Sequence, residues 1–314
     1  MKNFVFQTSK GFNLTGSYFV FPTDDEYQLG NFLDIILIHA FPFDSSMYLP
    51  NFENEKMVEE LNQFAATKGY IRIFLPNLPG FGQSDKFKEE PNNLLPYVYC
   101  IDEIVNKFNL SNIIIGGCSM GGYIALEYLR NHIKLLDGLI LIDTKSTADT
   151  DEQKHNRFNT IETIKNSLKN DPGDYSIEIE QLYHNNKLIK EFIDNLHGNI
   201  VSEHITENNQ QISREILNIM KQQNPNGIIH ALRAMAGRND NTKILKKFRK
   251  DVLIIVGGYD KITPIDISVQ IKNLTRRSTL NIIPNAGHLS NMENFLEFNR
   301  VLIDWIKKIY SNRQ

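Results

Sequence analysis

The chain has 314 residues, 41% of them apolar and 23% charged, with a formal net charge of −3 and a pI near 6.3. That balance suits a globular protein with a sizeable core and excludes disorder as the default. It also lacks the basic surplus that phosphate neutralisation requires, so no nucleic-acid partner is expected. The basic run from Lys243 to Lys250 reads as a solvated helix face.

Phe4–Phe6 and Ser17–Phe21 are β-rich runs separated by the turn signal Lys10-Gly11, which predicts a hairpin. A polar loop is expected from Thr23 to Asn31. Six short apolar runs follow: Leu33–Ile38, Ile71–Leu75, Ile113–Ile115, Gly138–Ile142, Val252–Val256 and Leu280–Ile283. They show no polar alternation, as befits strands buried on both faces of a parallel sheet. Between them, helical periodicity marks Glu55–Lys68, Leu94–Phe108, Tyr123–Asn131, Asp266–Leu274 and Asn291–Tyr310. Alternating strands and helices imply right-handed crossovers and a doubly wound α/β sheet.

The rhythm breaks between Lys145 and Arg238, where no core strand is evident. Five helices are expected there: Asp151–Ser167, Ser176–Tyr183, Leu188–Leu196, Ser213–Gln222 and Gly227–Ala236. Strand and helix resume at Val252. This predicts a core of residues 1–144 and 239–314 carrying a helical cap of residues 145–238. No run approaches the roughly 20 apolar residues of a membrane span. The N-terminus lacks the apolar stretch of a secretory signal. Cys100 and Cys118 belong to no metal or disulfide pattern. A cytoplasmic enzyme is therefore expected; the sequence does not speak to oligomeric state.

Chemistry concentrates at Gly117-Cys118-Ser119-Met120-Gly121, a G-x-S-x-G run between a strand and a helix. That context puts Ser119 on a sharp turn that tolerates no side chain two positions to either side. A serine hydroxyl needs a base. His288, on a loop between the last strand and the last helix, lies at the same sheet edge as Ser119. Asp260, in the turn after Val252–Val256, is the preferred acid. Asp143, ending Gly138–Ile142, is the alternative. An oxyanion hole needs two converging N–H donors. Met120 at the helix start and Phe41 after the first core strand are the candidates, with His39 bracing that loop.

These motifs resemble the α/β-hydrolase superfamily along essentially the whole chain. His39-Ala40-Phe41-Pro42 is similar to its oxyanion loop, with Ala40 for glycine. Pro76 to Ser84 is similar to its Pro-Gly-Phe-Gly loop, with Asn77 for aspartate. Gly257–Pro264 and Asn285–His288 resemble its acid turn and histidine loop. His39–Ser45 and Asp143–Thr150 resemble more narrowly a branch near the 3-oxoadipate enol-lactonases. The resemblance implies the α/β-hydrolase fold and a Ser-His-Asp triad acting on a small-molecule ester or lactone, with no cofactor and no metal. A carbon–carbon hydrolase, perhydrolase or thioesterase would use the same scaffold, and a slow-turnover ligand receptor is the reading from another class. The cap offers Phe158, Ile161, Ile164, Leu168, Tyr183, Phe192, Leu196, Leu217 and Met220. Most should pack the cap onto the core and the rest line an apolar pocket, which predicts preference for an uncharged acyl group of small or medium size. No arginine is assigned as a carboxylate clamp; Arg233 and Arg238, at the return to the core, are the candidates.

Overall fold

The computed structural model describes residues 1–23, 32–169 and 179–311. Eight strands form one sheet: β1 (Lys2–Gln7), β2 (Asn13–Phe21), β3 (Phe32–Ile38), β4 (Tyr70–Pro76), β5 (Ile113–Cys118), β6 (Leu136–Ile142), β7 (Asp251–Gly257) and β8 (Ser278–Ile283). Their spatial order is β1-β2-β4-β3-β5-β6-β7-β8. β1–β2 is the expected hairpin, and β2 joins the sheet antiparallel to β4. All other pairings are parallel. The central strands are buried throughout because helices cover both faces. β8 departs from the fully buried expectation: it is an edge strand, mostly half-exposed, with Ile282 at 48%.

The helices, in chain order, begin with α1 (Leu49–Phe52) and α2 (Glu55–Lys68), then α3 (Leu95–Lys107) and α4 (Met120–His132). Asn54 starts α2 by accepting a hydrogen bond from the Met57 N–H. This is an N-cap worth about 1 kcal/mol. Crossovers that step across the sheet in opposite directions, all right-handed, place their helices on opposite faces. The β3-to-β4 step through α2 therefore lies opposite the β4-to-β5 and β5-to-β6 steps through α3 and α4.

Among the described residues, six helices separate β6 from the return to the core: α5 (Asp151–Lys169), α6 (Ile179–Asn185), α7 (Lys187–Ile200), α8 (Glu203–Asn208), α9 (Gln210–Lys221) and α10 (Pro225–Ala236). Side-chain N-caps punctuate this stretch at Asn186, Ser202, Asn209 and Asn224. Residues 24–31 of the expected loop and 176–178 of the expected second helix lie outside the described residues. α8 was not anticipated, because six residues between two caps carry too little periodicity to read. α10 is buried along most of its length and packs on α5. Its Gly227 meets Gly80 so closely that a Cβ would lie 2.0 Å from the Gly80 carbonyl oxygen.

The chain ends with α11 (Thr242–Leu245), α12 (Ile265–Leu274), α13 (Ser290–Glu293) and α14 (Phe295–Ser311). The basic run is thus helical for one turn only. Leu245 and Phe248 are buried while its lysines and arginine face solvent. The final predicted helix is two, broken at Asn294, whose side chain bonds the Pro284 carbonyl instead of continuing the helix.

Candidate active site

The turn after β5 carries Ser119 at φ 51°, ψ −111°, a left-handed backbone that a non-glycine residue rarely adopts. Three hydrogen bonds hold it: the Ser119 N–H donates to Ile142 O (2.9 Å), and the Ser119 carbonyl accepts from Thr144 Oγ1 (2.8 Å) and Tyr123 N (3.2 Å). The flanking glycines are sterically required. A Cβ on Gly121 would sit 2.1 Å from Ile38 O, and one on Gly117 would sit 2.6 Å from Gly121 C.

His288 is brought to this turn from the loop after β8. Its Nε2 lies 2.8 Å from Ser119 Oγ, and its Nδ1 lies 2.8 Å from Asp260 Oδ2. Asp260 sits in the turn after β7 and is filled with donors: Ile262 N (2.8 Å), Thr263 N (2.9 Å) and Thr263 Oγ1 (2.6 Å). Burial alone would raise the Asp260 pKa. The adjacent His288 charge and the hydrogen bonds from His288 and Thr263 outweigh it and hold the carboxyl below its ordinary value. For His288, burial acts to lower the pKa, but the Asp260 charge and hydrogen bond, with help from Asp143, leave it raised.

Asp143 does not touch the imidazole. Its Oδ1 accepts from Gly257 N (2.8 Å), and its Oδ2 accepts from Ser290 N (3.0 Å) and Ser290 Oγ (2.6 Å). It thereby ties the end of β6 to the end of β7 and to the start of α13. Burial first, and the Asp260 charge second, push its pKa up. A second carboxylate braces the histidine loop, and sequence reasoning missed it. Glu293 accepts from Gly287 N (2.9 Å) and Leu289 N (3.3 Å), and also from Ser202 N (2.9 Å) in the helical insertion. The His288 N–H donates to Ile200 O (2.9 Å), so the loop is bonded to the insertion as well as to the core. No local pattern marks Glu293, because its partners are all backbone N–H groups.

Met120 opens α4 and Phe41 borders the cavity above Ser119. Neither N–H donates a hydrogen bond among the described residues. His39 is fully buried. Its Nε2 accepts from the Leu78 N–H (3.0 Å), so Nδ1 carries the proton and donates to Ala40 O (2.8 Å). Burial lowers its pKa to about 4, consistent with a neutral brace. Asn77 uses both ends of its amide, accepting from Ser45 N (2.8 Å) and donating to Thr15 Oγ1 (2.9 Å). An aspartate there could only accept. Both cysteines are free and buried; burial raises the pKa of Cys118.

The cavity encloses about 310 Å³ and is bordered by both Ser119 and His288. A larger groove of about 910 Å³ lies outside the Asp260 turn, against α8, but its walls include neither residue. The cavity has two unlike walls. Phe192, Leu196 and Ile200 of α7, with Leu232 and Met235 of α10, are apolar. The polar residues bordering it are Lys145, Gln153, Asn156, Arg157 and Thr160. Of the apolar residues expected from the insertion, Phe192 and Leu196 border the cavity. Ile161, Ile164 and Met220 are packed inside, and Phe158 is 44% exposed. Arg233 bonds Glu90 (3.1 Å) and Asn92 (3.0 Å), outside the cavity walls.

Among the described residues no helix is long and apolar enough to cross a membrane, and no cluster of three metal-ligating side chains occurs. The family profile described as the alpha/beta hydrolase fold matches residues 35–295. An AB hydrolase superfamily protein of Bacillus subtilis is 25% identical over 267 residues, covering 83% of this chain and 86% of its own. A thermophilic esterase from Thermogutta terrifontis superposes with a TM-score of 0.78 at 23% identity, covering 99% of this chain and 100% of that one. The enol-lactonase from Burkholderia xenovorans gives 0.72 at 14% identity, covering 96% and 99%. At these identities the two solved structures share the fold, and neither singles out a branch.

Proposed function

The chain belongs to the α/β-hydrolase family, and from that premise we propose that it cleaves a carboxylic ester or lactone through a Ser119–His288–Asp260 triad and an acyl-enzyme. The reading takes residues 145–238 as a cap over a core of 1–144 and 239–314. The observation that carries it is the unbroken hydrogen-bond chain from Ser119 Oγ through both imidazole nitrogens to Asp260 Oδ2.

The chemistry follows from that chain. Asp260 accepts a hydrogen bond from Nδ1–H, which leaves the Nε2 lone pair facing Ser119 Oγ. As Oγ attacks the substrate carbonyl, its proton passes to Nε2. The Asp260 carboxylate stabilises the resulting imidazolium without taking the proton. The N–H groups of Phe41 and Met120 receive the tetrahedral oxyanion, the latter aided by the α4 dipole. Collapse returns the Nε2 proton to the leaving alkoxide. Water then gives its proton to Nε2 and attacks the acyl carbon; collapse frees the acid and restores Ser119. No step calls for a metal or an organic cofactor. Within the family we place the chain among the enol-lactonase-like esterases, on the strength of the His39–Ser45 and Asp143–Thr150 runs.

Hydrolysis of 4-nitrophenyl esters from acetate to decanoate, wild type beside Ser119→Ala, tests the mechanism. The variant should lose about three to six orders of magnitude in kcat. Retention of wild-type turnover by Ser119→Ala would end the proposal.

A further inference from the structure

The polar residues of the cavity wall run against the expectation of an uncharged acyl group. Gln153, Asn156, Arg157 and Thr160 stand at i, i+3, i+4 and i+7 on α5, so they share one helical face, and that face borders Ser119's cavity. Lys145 joins them from the segment after β6.

The charges of this wall do not balance. Asp149 is buried and is the one carboxylate among the residues bordering the cavity. Three cations converge on it: Arg157 Nε at 2.6 Å, Arg238 Nη2 at 2.8 Å and Lys145 Nζ at 3.7 Å. Three positive charges against one negative leave a formal surplus of two. Arg238 has further partners. It donates to Thr147 O (3.2 Å) and Met235 O (3.0 Å), lies 4.2 Å over the Tyr123 ring, and does not border the cavity. Arg157 spends only Nε on Asp149; its Nη1 and Nη2 have no partner among the described residues. Lys145 has one further contact, Gln153 Oε1 at 3.0 Å. The Arg157 and Lys145 side chains are 21% and 12% exposed, and the Arg157 Nη1 and Nη2 atoms remain accessible to a ligand.

We propose that Arg157 and Lys145 form a carboxylate-recognition subsite, so that the ester or lactone cleaved at Ser119 carries a second, free carboxylate. The planar fork of Arg157 suits two parallel hydrogen bonds to that group, and Lys145 adds a point charge beside it. The apolar wall of α7 and α10 takes the carbon chain between the two ends. The assignment of the cleaved bond rests on the acyl-transfer reading above; the anion site itself does not.

The test compares three substrates of similar length: mono-4-nitrophenyl glutarate, 4-nitrophenyl pentanoate and the 4-nitrophenyl ester of 4-(trimethylammonio)butanoate. In the wild type, kcat/KM should rank anion, neutral, cation, with the glutarate ahead of the pentanoate by about tenfold or more. Arg157→Gln and Lys145→Gln should each shrink that ratio severalfold, whereas Arg157→Lys should retain part of it. A wild-type ratio at or below one overturns the subsite, as does a ratio that ignores both Gln variants. Asp149 keeps Arg238 in either variant, and equal thermal midpoints would show that the fold holds. If no ester is turned over, the acyl-transfer reading fails, and calorimetry decides the subsite separately. Glutarate binding that Arg157→Gln weakens about tenfold supports it; no binding of glutarate by the wild type overturns it.

Discussion

At the carboxyl edge of the sheet, Ser119, Asp260 and His288 each sit on a short turn whose backbone is held by several hydrogen bonds and by glycines with no room for a Cβ. In the insertion, the residues facing the same cavity stand on helices α5, α7 and α10, which are positioned by packing and by N-caps at their ends. The first arrangement tolerates almost no substitution, because strained backbone and buried donors leave no alternative geometry. The second can change its side chains while keeping its helices. Under the proposed mechanism, bond-making groups and substrate-sorting groups thus occupy parts of the chain under different constraints.

The sharpest way to test this division is within the edge itself, where two buried carboxylates have different partners. Asp260→Asn should lower kcat by about 10³- to 10⁴-fold, because the amide no longer secures the Nδ1-protonated tautomer. Asp143→Asn should cost much less activity and act instead on stability. Its amide can keep one of the two backbone donors but not every bond, a loss of about 1–3 kcal/mol readable as a lower thermal midpoint. Equal kinetic losses would erase the distinction between the two acids.

Gly121→Ala probes the steric side of the edge. Its methyl would meet the Ile38 carbonyl, and overpacking of this kind costs about 1–3 kcal/mol with activity falling alongside. A variant of unchanged stability and activity would show that the turn yields more than its contacts suggest.

The pH profile sharpens the role of the imidazole. His288 must be neutral to accept the Ser119 proton, and its pKa is raised by Asp260. Hence kcat/KM should be flat above that raised value and fall tenfold per unit below it. Asp260→Asn removes the negative charge, so its residual activity should persist to lower pH. A limb that moves upward would refute the assignment.

The smallest effect is expected in the insertion. Leu196→Ala enlarges the apolar wall and should raise KM for a medium-chain ester by about tenfold, with kcat little changed. A collapse of kcat would mean that α7 does more than shape the cavity.

Much of this molecule was readable along the chain. Strands β3 to β7 announce themselves as apolar runs because both their faces are buried. Ser119, Asp260 and His288 could be named because each lies in a turn with its own local signature. Other features required the assembled structure. β8 reads as a core strand, yet its place at the sheet edge leaves it half-exposed. α8 is too short for periodicity to reveal. Glu293 bonds only backbone groups brought from distant segments, so nothing near it in sequence points to them. The polar stripe of α5 is visible as a period, but a polar helical face ordinarily meets solvent. Sequence by itself determined the core strands, most of the longer helices and the turn that carries Ser119, since these depend on near neighbours. Tertiary structure alone decided that Asp260 rather than Asp143 meets His288, and that Arg157 and Lys145 face the cavity over Ser119. Those outcomes depend on how separate elements are set against one another in space, and no local pattern encodes that.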